Sequence, residues 1–140
     1  MNQNRRRRVL FLCIHNSSRS IMAEAIVNHF LGKEWEAFSA GTDPTSVNPL
    51  AMKALHEIGI DIPRAESKHL NIFLGQPFDR VITLCDEANE SCPFWPGGET
   101  RDHYSFQDPS LARGSDDDKL RVFREVRDKI KEIIIPKLLE

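Results

Sequence analysis

The sequence predicts a doubly wound α/β domain. Two short apolar runs rich in strand formers, Val9 to Ile14 and Val81 to Leu84, read as strands covered on both faces. Segments of helical apolar spacing follow and separate them, and Gly, Pro and Asn stops divide one from the next. Strands alternating with helices build a sheet layered with helices rather than a bundle or a sandwich.

The elements follow in chain order. After the first strand, Met22, Ala25, Ile26 and Phe30 share one helical face, and Gly32 is a natural stop. Trp35 to Ala40 reads as a second strand ending at Gly41. Asn48 and Pro49 open a helix as N-cap and first helical residue; Leu50, Ala51, Ala54, Leu55 and Ile58 form its buried stripe, and Gly59 ends it. The strand at Val81 to Leu84 delivers Cys85 at its C-terminal end, as the first strand delivers Cys13. A short helix is expected next, closed by Pro93. His103 to Phe106 is a weaker strand. Ser115 with Asp118 three residues on resembles a capping box. The helix it opens buries Leu120, Phe123, Val126, Ile130, Ile133 and Ile134.

Composition narrows the classes. A chain of 140 residues, 40% apolar and 29% charged, fits one folded domain over 1–140. A net charge of −2 gives no reason to expect nucleic acid. Arg5 to Arg8 is the one dense basic block, and residues 1–7 are expected to be a flexible basic tail. The apolar run behind it is too short for a secretion signal, and nothing reaches membrane-spanning length. A cytoplasmic monomer is expected. In a reducing compartment, three cysteines are a poor structural framework, and an odd count leaves one unpaired.

The chemistry starts at Cys13-Ile14-His15-Asn16-Ser17-Ser18-Arg19-Ser20, which joins a buried strand to a helix. Such a loop can turn its N–H groups inward, and the helix N-terminus adds positive potential, so the segment suits a tetrahedral oxyanion. Arg19 offers a planar fork for two anion oxygens. The same charges favour the Cys13 thiolate, and Ser20 can donate a hydroxyl hydrogen bond to it. Cys13 is the candidate nucleophile, and residues 14–20 are the candidate substrate-binding loop. Cys85 and Cys92 lie seven residues apart. As residues they read either as small buried hydrophobes or as redox thiols; the paired spacing of a zinc site is absent, and His103 is a poor fourth ligand.

The Cys13–Ser20 segment resembles the cysteine-x5-arginine-serine loop of the low-molecular-weight tyrosine phosphatases. Val81-Ile-Thr-Leu-Cys-Asp-Glu-Ala-Asn-Glu-Ser-Cys-Pro93 resembles the redox segment of thioredoxin-coupled arsenate reductases of that superfamily. Ser39-Ala-Gly41, Val47-Asn-Pro49 and Phe106-Gln-Asp-Pro109 resemble it too, and the likeness runs over most of residues 8–135. The resemblance implies a phosphatase-like (flavodoxin-like) three-layer domain, a four-stranded parallel sheet flanked by helices. It also implies a reaction: Cys13 attacks arsenate, Asp108 acts as general acid, and Cys85 and Cys92 pass the disulfide on to thioredoxin. No bound cofactor is implied, and glutaredoxin or glutathione is the alternative reductant. Asp-Pro is also a common turn starter, which is the plainer reading of Asp108.

Three departures carry expectations. Ser18 stands where some relatives have a further cysteine. His15 stands where glycine is frequent. Relatives that hold potassium use positions matching Asn16, Glu24 and Ser39, with an aspartate where this chain has Lys68; the ammonium argues against a metal and is expected to neutralise Glu24. A disulfide between Cys85 and Cys92 would require a helical segment to unwind, because seven residues of helix span about 10 Å while a disulfide needs Cα atoms within about 7 Å. The rival reading is a phosphatase acting on phosphotyrosine or small phosphate esters. Ser110 after Asp108-Pro109 argues against it, because that family grips phosphotyrosine with aromatic residues there. A non-enzymatic thiol sensor has no need of an oxyanion loop.

Overall fold

The computed structural model describes residues 6–85 and 100–140. Strand β1 (Arg7–Cys13) runs into helix α1 (Arg19–Phe30), followed by β2 (Trp35–Gly41) and α2 (Pro49–His56). A 3₁₀ turn at Leu70–Phe73 precedes β3 (Arg80–Thr83); β4 (Thr100–His103), a second 3₁₀ turn at Pro109–Leu111 and the long α3 (Asp116–Leu138) complete the described elements. The strands form one four-stranded sheet in the order β2-β1-β3-β4. All three pairings are parallel. The short helix expected after Cys85 lies outside the described residues, as do its stop at Pro93 and Cys92 itself.

β1 is buried on both faces because it is central and its side chains alternate. Val9 and Phe11 join the core under α1, α2 and α3, while Leu10, Leu12 and Cys13 join Leu70, Phe73, Phe78, Val81 and Cys85 on the opposite face. Edge strand β2 is closed by α1: Asn28 donates to the Ala37 carbonyl (3.1 Å) and accepts from the Ala37 N–H (2.9 Å). Trp35 Nε1 donates to Leu138 O (3.1 Å), tying the start of β2 to the end of α3.

The caps form as the sequence predicts. Asn48 accepts from the Leu50 N–H (2.9 Å), and Ser115 with Asp118 makes a reciprocal capping box. Several expectations need correction. The basic block is no tail at Arg6 to Arg8: β1 begins at Arg7, two residues before the apolar run, and Arg6 pairs with Glu36 (3.5 Å). Arg7 lies over the Trp35 ring (4.4 Å) and Arg8 over Phe38 and Phe78 (4.7 and 4.6 Å), so the aromatic rings, not apolarity, extend the strand. Phe30 is 40% exposed and carries the Lys131 ammonium on its ring (4.4 Å). Ile133 is 41% exposed, while Arg127 is buried in α3. β4 covers Thr100–His103 rather than 103–106, although Tyr104 and Phe106 still donate to Thr83 O and Leu84 O alongside β3. A polar edge strand held by an Arg80–Asp102 ion pair (2.8 Å) carries no apolar signature.

Candidate active site

The loop of residues 14–18 leaves the C-terminal end of β1 and enters α1, at the end of the sheet where parallel α/β proteins gather their sites. Its carbonyls are held from outside. Thr42, Asp43, Thr45 and Asn48 donate their N–H groups to Cys13, Ile14, His15 and Ser17 oxygens (3.3, 2.8, 3.2 and 2.9 Å). With the carbonyls turned outward, the N–H groups of residues 14–18 donate to no protein acceptor among the described residues. Asn16 takes the left-handed conformation (φ 49°), which asparagine tolerates better than most residues. Gly41 is required beneath the loop, since a Cβ there would collide with the Ile14 carbonyl oxygen.

Asn16 organises the surroundings of Cys13. Its Oδ1 accepts from the Lys68 N–H (2.9 Å), which fixes the amide, so Nδ2 donates to Ser20 Oγ (2.7 Å). Ser20 then directs its one hydroxyl proton to Cys13 Sγ, 2.8 Å away. Were the thiol the donor instead, the buried Ser20 proton would have no acceptor. Ser67 Oγ donates to the Asn16 carbonyl (2.7 Å) and braces the same residue from the other side. His15 Nδ1 donates to the Asp43 carbonyl (3.0 Å), which assigns its proton and explains how the loop accommodates a ring there.

Arg19 is buried. Nη1 donates to Phe106 O (3.2 Å), and Nη2 lies 3.5 Å from Asp108 Oδ2. The other Asp108 oxygen accepts from the N–H and hydroxyl of Ser110 (3.0 and 2.6 Å). Cys13 and Cys85 are both 2% exposed and belong to one packed cluster. Leu12 pairs with Thr83 across β1 and β3, which brings Cys85 to the same end of the sheet as Cys13. Cys92 is outside the described residues. The structure thus gathers Cys13, residues 14–20, Asp108 and Cys85 at the C-terminal end of the central strands. Sequence reasoning missed Phe106 O, Ser67 and Ser110. The first two act across long sequence separations that leave no local signal; Ser110 was legible as the hydroxyl of an Asp-Pro-Ser turn.

Oxygens of Glu24 and Asn16 beside the loop are already hydrogen-bonded. Glu24 Oε1 accepts from Ser39 Oγ (2.8 Å), and Asn16 Oδ1 is taken by Lys68 N–H. Lys68 Nζ donates to Glu66 O (2.9 Å), and its charge acts on Glu24 without a direct ion pair. Burial pushes the Glu24 carboxyl above its ordinary value, and the Lys68 charge and Ser39 hydrogen bonds only partly oppose this. Among the described residues, no group of three His, Cys, Asp or Glu is placed to hold a metal ion.

A parallel sheet with an oxyanion loop between β1 and α1, a cysteine at its start and an arginine at its end defines a cysteine-based phosphatase-like protein. The model of the low molecular weight phosphotyrosine protein phosphatases matches residues 8–140, and the chain belongs to that family. Within it, the chain is 47% identical over 122 residues to an arsenate reductase of Halalkalibacterium halodurans, covering 87% of this chain and 88% of that one. Among solved structures it resembles an arsenate reductase in the phosphate binding state (TM-score 0.82, 31% identity, 95% of this chain and 97% of that chain). It also resembles a thioredoxin-dependent arsenate reductase of Corynebacterium glutamicum (TM-score 0.68, 29% identity, 96% of this chain and 63% of that chain).

Proposed function

We propose that this chain reduces arsenate to arsenite and is regenerated by thioredoxin. The observation that carries the reading is a second buried cysteine, Cys85, packed in one cluster with the loop cysteine Cys13. Hydrolysis of a phosphate ester needs one such thiol; reduction needs a second.

Arsenate sits in the loop against the inward N–H groups. Arg19 has five N–H donors, so it can keep its Phe106 anchor and still present others to the anion. The Cys13 thiolate, accepting from Ser20, attacks arsenic. Asp108 delivers the proton with which an arsenic-bound hydroxyl leaves as water. The Cys85 thiolate then attacks Cys13 Sγ. The S–As electron pair passes to arsenic, arsenic(V) becomes arsenic(III), and arsenite departs from a Cys13–Cys85 disulfide. Cys92 attacks Cys85 and releases the Cys13 thiolate, and a thioredoxin dithiol reduces Cys85–Cys92. Ser110 holds the Asp108 carboxyl toward the loop. No bound cofactor takes part. The working unit is one monomeric domain over 1–140 in the cytoplasm; no described helix is long and apolar enough to cross a membrane.

The deciding experiment couples the protein to thioredoxin, thioredoxin reductase and NADPH. Arsenate-dependent NADPH consumption is expected, and its absence with the wild-type chain would reject the reductase reading. Replacing thioredoxin with glutaredoxin and glutathione identifies the reductant. The same loop should hydrolyse an activated aryl phosphate slowly, because phosphate and arsenate share shape and charge. That side activity should survive Cys85→Ser and Cys92→Ser and vanish in Cys13→Ser.

A further inference from the structure

We propose that the 3₁₀ turn at Leu70–Phe73 and its exit form the docking surface for the dithiol protein that regenerates the enzyme, with Ile72 and Leu74 as anchors. The turn packs on the sheet face that carries the sulfurs: Leu70 and Phe73 lie in one buried cluster with Cys13 and Cys85. The residues between and after them are exposed, Ile72 to 55% and Leu74 to 47%. Among the described residues, the other exposed large apolar side chains, Phe30, Leu111, Ile133 and Leu139, stand singly along the chain, which is ordinary for a protein surface. Charge is missing at the turn. Residues 69–78 contain no Asp, Glu, Lys or Arg, in a chain where 29% of residues are charged. Asn71, Gly75 and Pro77 complete the exposed strip. An exposed strip of aliphatic and uncharged residues has the composition of an interface core rather than of solvated surface.

The strip is built in advance of any partner. The Ile72 and Leu74 N–H groups donate to His69 O and Asn71 O (3.2 and 3.3 Å), and His69 Nδ1 accepts from the Asn71 N–H (3.0 Å). Gln76 Nε2 donates to Ile72 O (3.2 Å), while Gln76 Oε1 accepts from Arg8 Nη2 (2.9 Å), which ties the turn to β1. The Phe73 and Phe78 rings pack edge to face (5.8 Å). A surface already held in shape loses less entropy when it is covered.

Size selects the occupant. A stable dimer engages roughly 20–30 residues a side, whereas redox encounters sit at the small end of interface sizes. The strip exposes Asn71, Ile72, Leu74, Gly75 and Pro77, which suits a brief visitor and not a second copy of this chain. The visitor must deliver a thiolate to a disulfide that includes Cys85. A protein seated on Ile72 and Leu74 stands on the sheet face whose buried cluster holds that sulfur. A dithiol protein with an uncharged apolar rim around its cysteines meets both conditions.

The inference rests on the proposed regeneration by thioredoxin. It is tested with the double variant Ile72→Ala/Leu74→Ala in the assay coupled to thioredoxin, thioredoxin reductase and NADPH. At saturating arsenate, kcat/KM for thioredoxin should fall about tenfold, the size expected for two interface anchors of moderate strength. The same variant driven by dithiothreitol, which needs no docking surface, should keep wild-type turnover, and KM for arsenate should not move. Leu139→Ala, an exposed apolar residue at the end of α3, should leave both reductants unaffected. An unchanged kcat/KM for thioredoxin in the double variant overturns the proposal. So does an equal loss with dithiothreitol, which would place the two side chains in the support of the site, or an equal loss in Leu139→Ala. A dimer of the wild type seen by sedimentation and lost in the double variant would assign the strip to a second copy and also overturn it. Wild type that turns over with dithiothreitol but not with thioredoxin rejects the coupling and this surface together. Wild type and double variant that couple equally well reject the surface alone.

Discussion

Cys13 lies at the end of a directional series of hydrogen bonds that starts outside its own loop, at the Lys68 N–H. Asn16 occupies two roles at once: it supplies a positive φ, and it orients Ser20. Asn16→Gly separates them, since glycine keeps the backbone and loses the amide. The variant should fold, yet kcat should fall roughly tenfold, the value of about one hydrogen bond in the transition state. Wild-type kcat in Asn16→Gly would show that the amide does nothing for the nucleophile. Arg19→Lys is expected to be more severe, because an ammonium cannot hold Phe106 O and grip two anion oxygens together. Steady-state kinetics with near-normal KM and kcat would remove Arg19 from the anion site.

At the scale of elements, α2 and α3 are joined by a clamp of charged groups. Arg127 Nη1 donates to the Ala54 carbonyl (2.8 Å) and to Glu57 (3.2 Å), while Arg124 grips both Glu57 oxygens (2.8 and 2.6 Å). The Arg124 hydrogen bond is the main reason the Glu57 carboxyl titrates below its ordinary value. Arg127 is buried and Arg124 is half-exposed, so the two should behave differently. Arg127→Ala leaves a buried carbonyl unpaired and should cost about 2 kcal/mol. Arg124→Ala removes a solvent-screened pair and should cost much less. Urea denaturation midpoints compare the two, and equal losses would contradict the division. The α1–β2 segment supports the site differently. Gly41 ends β2 under the loop, and any side chain there should disrupt the anion site before it disturbs the sheet.

For the whole molecule, Glu24 makes stability depend on pH. Burial raises its folded-state value above 4.5, so the folded protein holds this proton more tightly than the unfolded chain does. The stability this group contributes is complete below the unfolded value and is lost as pH rises through the folded one. Glu24→Gln should therefore raise the melting temperature at pH 7 to 8, with a gain that shrinks as pH falls toward 4.5. A gain independent of pH would mean that Glu24 is not titrating. The relay belongs to this scale too. Cys92→Ser should stop after one turnover with Cys13 joined to Cys85, a linkage that peptide mass spectrometry after alkylation would show. Multiple turnovers by that variant would end the relay at Cys85.

Much of this molecule is legible in its sequence. β1 and β3 are apolar because they are buried on two faces, and the caps at Asn48 and Ser115 are read from residues within one turn of each other. The Cys13-to-Arg19 loop is equally local, since its spacing alone puts a thiol and a guanidinium at the two ends of one strand-to-helix turn. Tertiary structure decided what depends on distant partners. β4 is a polar edge strand specified by pairing with β3 and by Arg80, so no periodicity announces it. Arg7 and Arg8 enter β1 because Trp35, Phe38 and Phe78 arrive beneath them. Phe106 reaches Arg19 across 87 residues, and Lys68 and Ser67 reach Asn16 across 52 and 51. A local pattern records which face of an element is buried; it does not record which backbone group from elsewhere meets a side chain there. Here those meetings orient the Ser20 proton.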